Sequence, residues 1–168
     1  LGVDPGSRCS GWAVVAGSAN EPELIASGEL KLPDRLPLAD RLARLHAGIM
    51  GIIERYAPSE AAVESPFHGV SARSALQLAH ARGAVLAAMG SAGLPVAEYS
   101  PATIKLAVTG NGRADKTQVT AMVYRLVAPA NASGGSDAAD AVAAALCHLF
   151  ASGLAAALEK SGIARPRR

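Results

Sequence analysis

Hydrophobic positions fall into short blocks and long periodic stretches that alternate along the chain. Three short blocks share one design, a few small apolar residues and then a terminal carboxylate or aromatic ring. These are Leu1-Gly-Val-Asp4, Ala61-Ala-Val-Glu64 and Pro95-Val-Ala-Glu-Tyr99. The first is stopped by Pro5-Gly6 and the second by Pro66, residues that break a sheet ladder or permit a sharp turn. Each predicts a buried strand that ends abruptly. Residues 11–17 and 24–31 predict two more strands, the first making a hairpin with residues 1–4 through a loop at 7–10. Residues 18–22 form a turn between them, and residues 32–37, with two prolines, form a loop.

The longer stretches have helical period. Leu38, Leu42, Leu45, Ile49, Ile52 and Ile53 recur on one face of a predicted helix over residues 38–56, which ends before Pro58. Residues 71–92 predict a long helix rich in Ala and Leu. Its polar residues do not form one stripe, so more than one side is expected to be buried, at a subunit interface. Pro101 opens a helix over 101–108. After a loop at 109–114, Asp115 is placed to cap a helix running to about Leu126. Small residues over 128–136 predict a loop, and a last helix runs from Asp137 to about Leu158.

Strands joined through helices pair in parallel, so the three short strands predict the parallel part of a mixed sheet. The expected architecture is α/β, a five-stranded mixed sheet flanked by helices. In such sheets ligands sit beyond the carboxyl ends of the strands, where Asp4 and Glu64 both fall. Residues 1–155 are assigned to one domain. Residues 156–168 are assigned to the end of the last helix and a disordered basic tail ending in Arg165-Pro-Arg-Arg168.

Composition narrows the class. Of 168 residues, half are apolar and few are aromatic, so the core is built from Ala, Val and Leu. The net charge of +2 permits an acidic partner such as nucleic acid without requiring one. Two cysteines are too few for a disulfide framework and point to a reducing compartment. No charge-free apolar run long enough to cross a bilayer is expected, and no secretory leader is visible, so a cytoplasmic protein without membrane association is expected. The missing initial Met suggests that at least one residue precedes Leu1.

The chemistry rests on acids. Asp137 and Asp140, at i and i+3 in the first turn of the last helix, project from one face. Acids at a helix start also suit the exposed amides and the helix dipole, which is their ordinary explanation. The surrounding alanines allow the helix to pack closely on the sheet and turn both acids towards its edge. Asp4, Glu64, Asp137 and Asp140 could then converge. Without a cation they would repel one another and raise one another's pKa. An oxygen-only set suits Mg²⁺, or Mn²⁺ as a substitute, rather than Zn²⁺. Two such ions can activate water and stabilise the leaving oxygen of a phosphodiester. No Gly-rich phosphate loop with an adjacent Lys is present. His148 lies three turns, about 16 Å, from Asp137 and cannot join these acids. Cys9 carries no mark of a nucleophile, Trp12 is assigned to the core, and His68 reads equally well as a surface residue.

Asp4-Pro-Gly, Val63-Glu-Ser-Pro-Phe67, Leu78-Ala-His-Ala-Arg-Gly83, Lys116-Thr-Gln-Val119 and Asp137-Ala-Ala-Asp-Ala141 follow one another in fixed order. Together they resemble the RuvC family of bacterial Holliday-junction resolvases, over residues 1–152. The resemblance implies a ribonuclease H-like fold. It also implies a homodimer making paired, symmetric nicks in four-way DNA junctions with Mg²⁺, working beside the RuvA–RuvB branch-migration complex. Asp4, Glu64, Asp137 and Asp140 match the family's metal-binding acids; some members carry His at the place of Asp137. Lys105 and Lys116 match basic residues facing the DNA near the cut, Lys116 with a catalytic role. Phe67 matches a loop aromatic that stacks on bases, and Arg73 is a candidate phosphate contact. On the residues alone, the two lysines read as solvated and Phe67 could tuck into the core.

The alternatives are another ribonuclease H-like nuclease acting on RNA, or a junction-binding module without catalysis. An actin-like ATPase also opens with a strand, Asp and Gly-rich turn, but 168 residues leave no room for its second half.

Overall fold

The computed structural model describes residues 1–65, 71–127 and 135–160. Its strands are β1 (Gly2–Asp4), β2 (Cys9–Gly17), β3 (Pro22–Lys31), β4 (Ala61–Glu64) and β5 (Val96–Tyr99). They form one sheet in the order β3-β2-β1-β4-β5. The first three make an antiparallel meander, while β1, β4 and β5 run parallel. The helices are α1 (Leu38–Tyr56), α2 (Ala72–Ser91), α3 (Pro101–Thr109), α4 (Lys116–Leu126) and α5 (Ser136–Lys160). The expected five-stranded mixed sheet with flanking helices is therefore present.

The pleat sorts the core into two layers. Val3, Val14, Ala61 and Val63 face α1 and α2, meeting Leu45, Ile49, Val85 and Met89. Ala13 and Leu24 face the other way, towards α3, α4 and α5. Trp12 packs in the first layer, its ring centroid 5.8 Å from that of Tyr56 and Gly28 lying beneath the indole.

Two strands begin earlier than expected. The strand β2 begins at Cys9 and β3 at Pro22, two residues earlier than predicted in each case. β3 lies at the sheet edge, where a proline is tolerated as first residue because its missing N–H costs no ladder bond.

Within a single chain the surface helix α2 is enclosed along only part of its length. Its second half buries Ala81, Val85, Ala88 and Met89, whereas residues 71–76 are exposed, with Leu76 at 59%.

The helix α5 is the central packing element, in contact with β1, β2, β3, β4, α3 and α4. It is long and apolar enough to cross a membrane, which corrects the expectation from sequence. Its apolar character serves the fold, because Ala138, Ala139 and residues 141–147 are buried inside it. Small residues permit that burial. A Cβ added at Gly2 would stand 2.6 Å from the Ala145 nitrogen and 2.8 Å from its Cβ. At Gly11 an added Cβ would collide with the carbonyl oxygen of Asp137.

This seating gives a first prediction. Gly2→Ala should lower stability to urea by at least about 2 kcal/mol, because α5 must lift from β1. An unchanged denaturation midpoint would show that the helix does not depend on this close approach.

Candidate active site

Asp4 ends β1 and is fixed by the turn behind it. The buried Ser10 hydroxyl accepts from the Gly6 N–H at 3.0 Å and donates to the Gly6 carbonyl at 3.1 Å. This closes the Asp-Pro-Gly turn against the start of β2 and leaves Asp4 at the lip of the sheet. Gly2 pairs with Ala62 and Val3 with Val63. The next residues, Asp4 and Glu64, therefore emerge side by side on the α5 face.

The opposite wall comes from three helices. Ser100 caps α3, accepting from the Thr103 N–H at 3.1 Å, which places Lys105 in the second turn. Asp115 and Gln118 form a reciprocal capping box at the start of α4, with bonds of 2.9 and 3.0 Å. Lys116 is thereby held at the first helical position, its Nζ 2.7 Å from Asp140 Oδ2. Asp137 and Asp140 project from the first turns of α5.

A cavity of about 270 Å³ is lined by Asp4, Glu64, Lys105, Lys116 and Asp140, with Ile104 and Val119 as apolar walls. Carboxylate oxygens of Asp4, Asp137 and Asp140 all lie within 4.8 Å of one another. Burial, then the charges of Asp140 and Asp137, push the Asp4 carboxyl up to about 6, against a smaller opposing effect of Lys116. Burial, then Asp4 and Asp140, push Glu64 up to about 7, opposed by Lys105 and Lys116. The ion pair with Asp140 raises the pKa of Lys116. Acids this close, in a pocket offering only oxygen donors, fit a hard divalent cation. Such an ion would relieve the repulsion that raises their pKa values.

The structure thus brings together Asp4, Glu64, Asp137, Asp140, Lys105 and Lys116. Within this group Glu64 lines the shared cavity but stands outside the tight Asp4, Asp137 and Asp140 triad. Arg73 lies exposed in the first turn of α2 and does not line the cavity. Phe67 and His68 lie outside the described residues. His148 is engaged elsewhere, its Nδ1 2.8 Å from the Tyr99 hydroxyl and its Nε2 2.7 Å from Glu60.

Two residues beside Asp137 are not tied to it by the sequence. Cys9 and Glu29 form a second cluster with it, their ligand atoms also within 4.8 Å of one another, beside a separate cavity of about 500 Å³. Burial and then hydrogen bonding to Asp137 push the Cys9 thiol up to about 12, so it is protonated and not a nucleophile. Nothing in the local sequence around Glu29 marks it, since its position depends on strand pairing.

The raised carboxyl pKa values set a sign for pH dependence. In the fold Asp4 and Glu64 hold their protons more tightly than at their ordinary values of 3.8 and 4.5. Their contribution to stability is full below about pH 4 and is lost as pH rises through about 6 and 7. Metal-free protein should therefore lose thermal stability across this range, and Asp4→Asn should flatten the profile. A wild-type profile as flat as the variant's would contradict the crowding of these acids.

Comparisons with known proteins give the family. A family model described as crossover junction endodeoxyribonuclease RuvC matches residues 1–148. The chain is 50% identical over 148 residues to the crossover junction endodeoxyribonuclease RuvC of Halorhodospira halophila, covering 88% of this chain and 87% of that protein. It is similar to the solved structure of T. thermophilus RuvC in complex with Holliday junction substrate. The TM-score is 0.85 at 34% identity, covering 99% of this chain and 97% of that one. The yeast mitochondrial Holliday junction resolvase shares the fold alone, with a TM-score of 0.68 at 12% identity over 96% of this chain and 83% of that one. With the ribonuclease H-like arrangement of sheet and helices, these matches show that the chain belongs to the RuvC family of crossover junction endodeoxyribonucleases.

Proposed function

We propose that this chain resolves Holliday junctions by paired hydrolysis of DNA phosphodiesters, with Asp4, Glu64, Asp137 and Asp140 as the metal-holding acids. The observation that carries the reading is the convergence of Asp4, Asp137 and Asp140 within 4.8 Å of one another, beside a cavity that Glu64, Lys105 and Lys116 also line. When bound, two Mg²⁺ ions, or Mn²⁺ in their place, would supply activation of water and stabilisation of the leaving oxygen.

The protein's own groups divide the remaining work. Asp4, flanked by Glu64 across the sheet and by Asp137 and Asp140 across the helix, is the central acid of the set. Lys116 opposes charge that develops on the phosphate, and its ion pair with Asp140 holds it at the cavity wall. Lys105 supplies a second positive charge for the backbone of the strand. Phe67 is assigned to stacking on a base near the cut, and Arg73 to a phosphate outside the cavity.

Paired cuts need two sites related by symmetry, so the acting species is assigned as a homodimer. The exposed start of α2, residues 71–76 ending in Leu76, supports that assignment. Family membership supports the remaining parts of the reading, which are work beside RuvA–RuvB and a cytoplasmic location.

The experiment compares a mobile four-way DNA junction, a linear duplex and a structured RNA, each with Mg²⁺, with Mn²⁺ and with chelator. The expected result is metal-dependent paired nicking of the junction alone. Asp4→Asn should abolish nicking while retaining junction affinity. Lys116→Ala should slow nicking by about 10²–10³-fold and lower the salt dependence of binding by about one unit of slope. Preference for RNA would replace this reading with an RNA-processing nuclease. Tight junction binding without cutting under either metal would leave a binding module.

A further inference from the structure

Asp4, Gly11 and Glu29 are successive register partners across β1, β2 and β3. Lateral partners in a sheet project from the same face, so Asp4 and Glu29 flank the empty position at Gly11. The first turn of α5 occupies that gap, with the Asp137 carbonyl directly over Gly11.

Gly135 immediately precedes α5, and its carbonyl accepts from the Ala139 N–H at 3.4 Å. Its own N–H donates to Glu29 Oε1 at 2.9 Å. The Cys9 Sγ, two residues before Gly11 on the same face of β2, lies within 4.8 Å of carboxylate oxygens of both Asp137 and Glu29. The helix that carries Asp137 and Asp140 is thus fastened to the edge strand at the residue just before it begins. The fastening lies on the far side of Asp137 from the acidic cavity.

We propose that Glu29 is a positioning residue for the metal-holding acids, fixing the start of α5 through the Gly135 N–H, with the Cys9 thiol packed between Glu29 and the Asp137 carboxylate. Glu29 stands away from the cavity and is not itself assigned as a ligand. It acts by restricting where Asp137 and Asp140 rest before an ion arrives. Losing a group that orients ligands weakens metal affinity by about 10–100-fold in comparable sites. The edge position and partial exposure of Glu29 make its replacement compatible with folding.

The inference rests on the acids being metal ligands, and its test separates the two. Mg²⁺ binding to the protein alone is measured by calorimetry, alongside the Mg²⁺ concentration for half-maximal junction nicking and the junction Kd in chelator. For Glu29→Ala, both metal measures should weaken by about tenfold or more with junction Kd unchanged. Glu29→Gln keeps an oxygen acceptor for Gly135 and should restore most of the affinity. Gly135→Ala reaches the same contact from the other side, since its Cβ would stand 2.6 Å from Glu29 Oε1, and should resemble Glu29→Ala. If the wild type binds Mg²⁺ and nicks, and Glu29→Ala matches it in both measures, the positioning role is wrong. Equal loss in the Ala and Gln variants would also overturn it. A wild type that neither binds Mg²⁺ nor nicks would instead defeat the reading of the acids as ligands.

Discussion

The close seating of α5 on β1 and β2 is the constraint on which the site depends. At Gly2 and Gly11 the sheet presents no side chain, and the helix answers with alanines at Ala138, Ala141 and Ala145. Backbone meets backbone with little between, a contact that only the smallest residues allow. The stabilisation comes from dispersion over many tight contacts and not from large apolar groups. Because that packing is dense, the first turn of α5 has one depth over the sheet. Asp137 and Asp140 inherit that depth, and their distance to Asp4 follows from it.

Crowding acids at the end of such a seam carries an electrostatic cost that the fold tolerates locally. Burial and mutual repulsion raise Asp4 and Glu64 well above their ordinary values. Lys116 offsets part of this from a capped helix terminus, so the opposing charge is itself held in place. The site is therefore built with unsatisfied charge in a framework stiff enough to keep it from relaxing, an arrangement typical of ligand-binding positions.

Much of this was legible in the sequence because it is written in local patterns. Short apolar runs ending in Asp4 and Glu64 fixed both the strands and the acids at their tips. The i and i+3 spacing of Asp137 and Asp140 gave their common face, and Asp115 marked its helix start. Other features depend on which strand lies beside which. Glu29 meets Gly135 only through the register of β3 on β2, 106 positions apart in the chain. Cys9 reads as a loop residue until the hairpin is seen to extend to it. The apolar length of α5 does not declare its role, because an Ala-rich stretch suits close packing and a bilayer alike. For α2, polar residues off any single stripe suggested burial on more than one side, without saying which part of its length the chain itself covers. The helix is buried along its second half, where α1 covers it, a division that composition averaged over the helix does not register.

The pairing of Lys116 with Asp140 bears on charge balance across the whole pocket. With all four acids ionised, four carboxylates face two ammonium groups at the site, which leaves two negative charges. One divalent cation would cancel that excess, and a second would turn the pocket cationic by the same amount. A phosphodiester carries the charge that a doubly loaded pocket lacks, whereas an empty pocket repels it. In the proposed reading, ion occupancy and the approach of a DNA strand are therefore thermodynamically linked, each raising the affinity for the other. The two lysines set the point of neutrality about which that exchange turns.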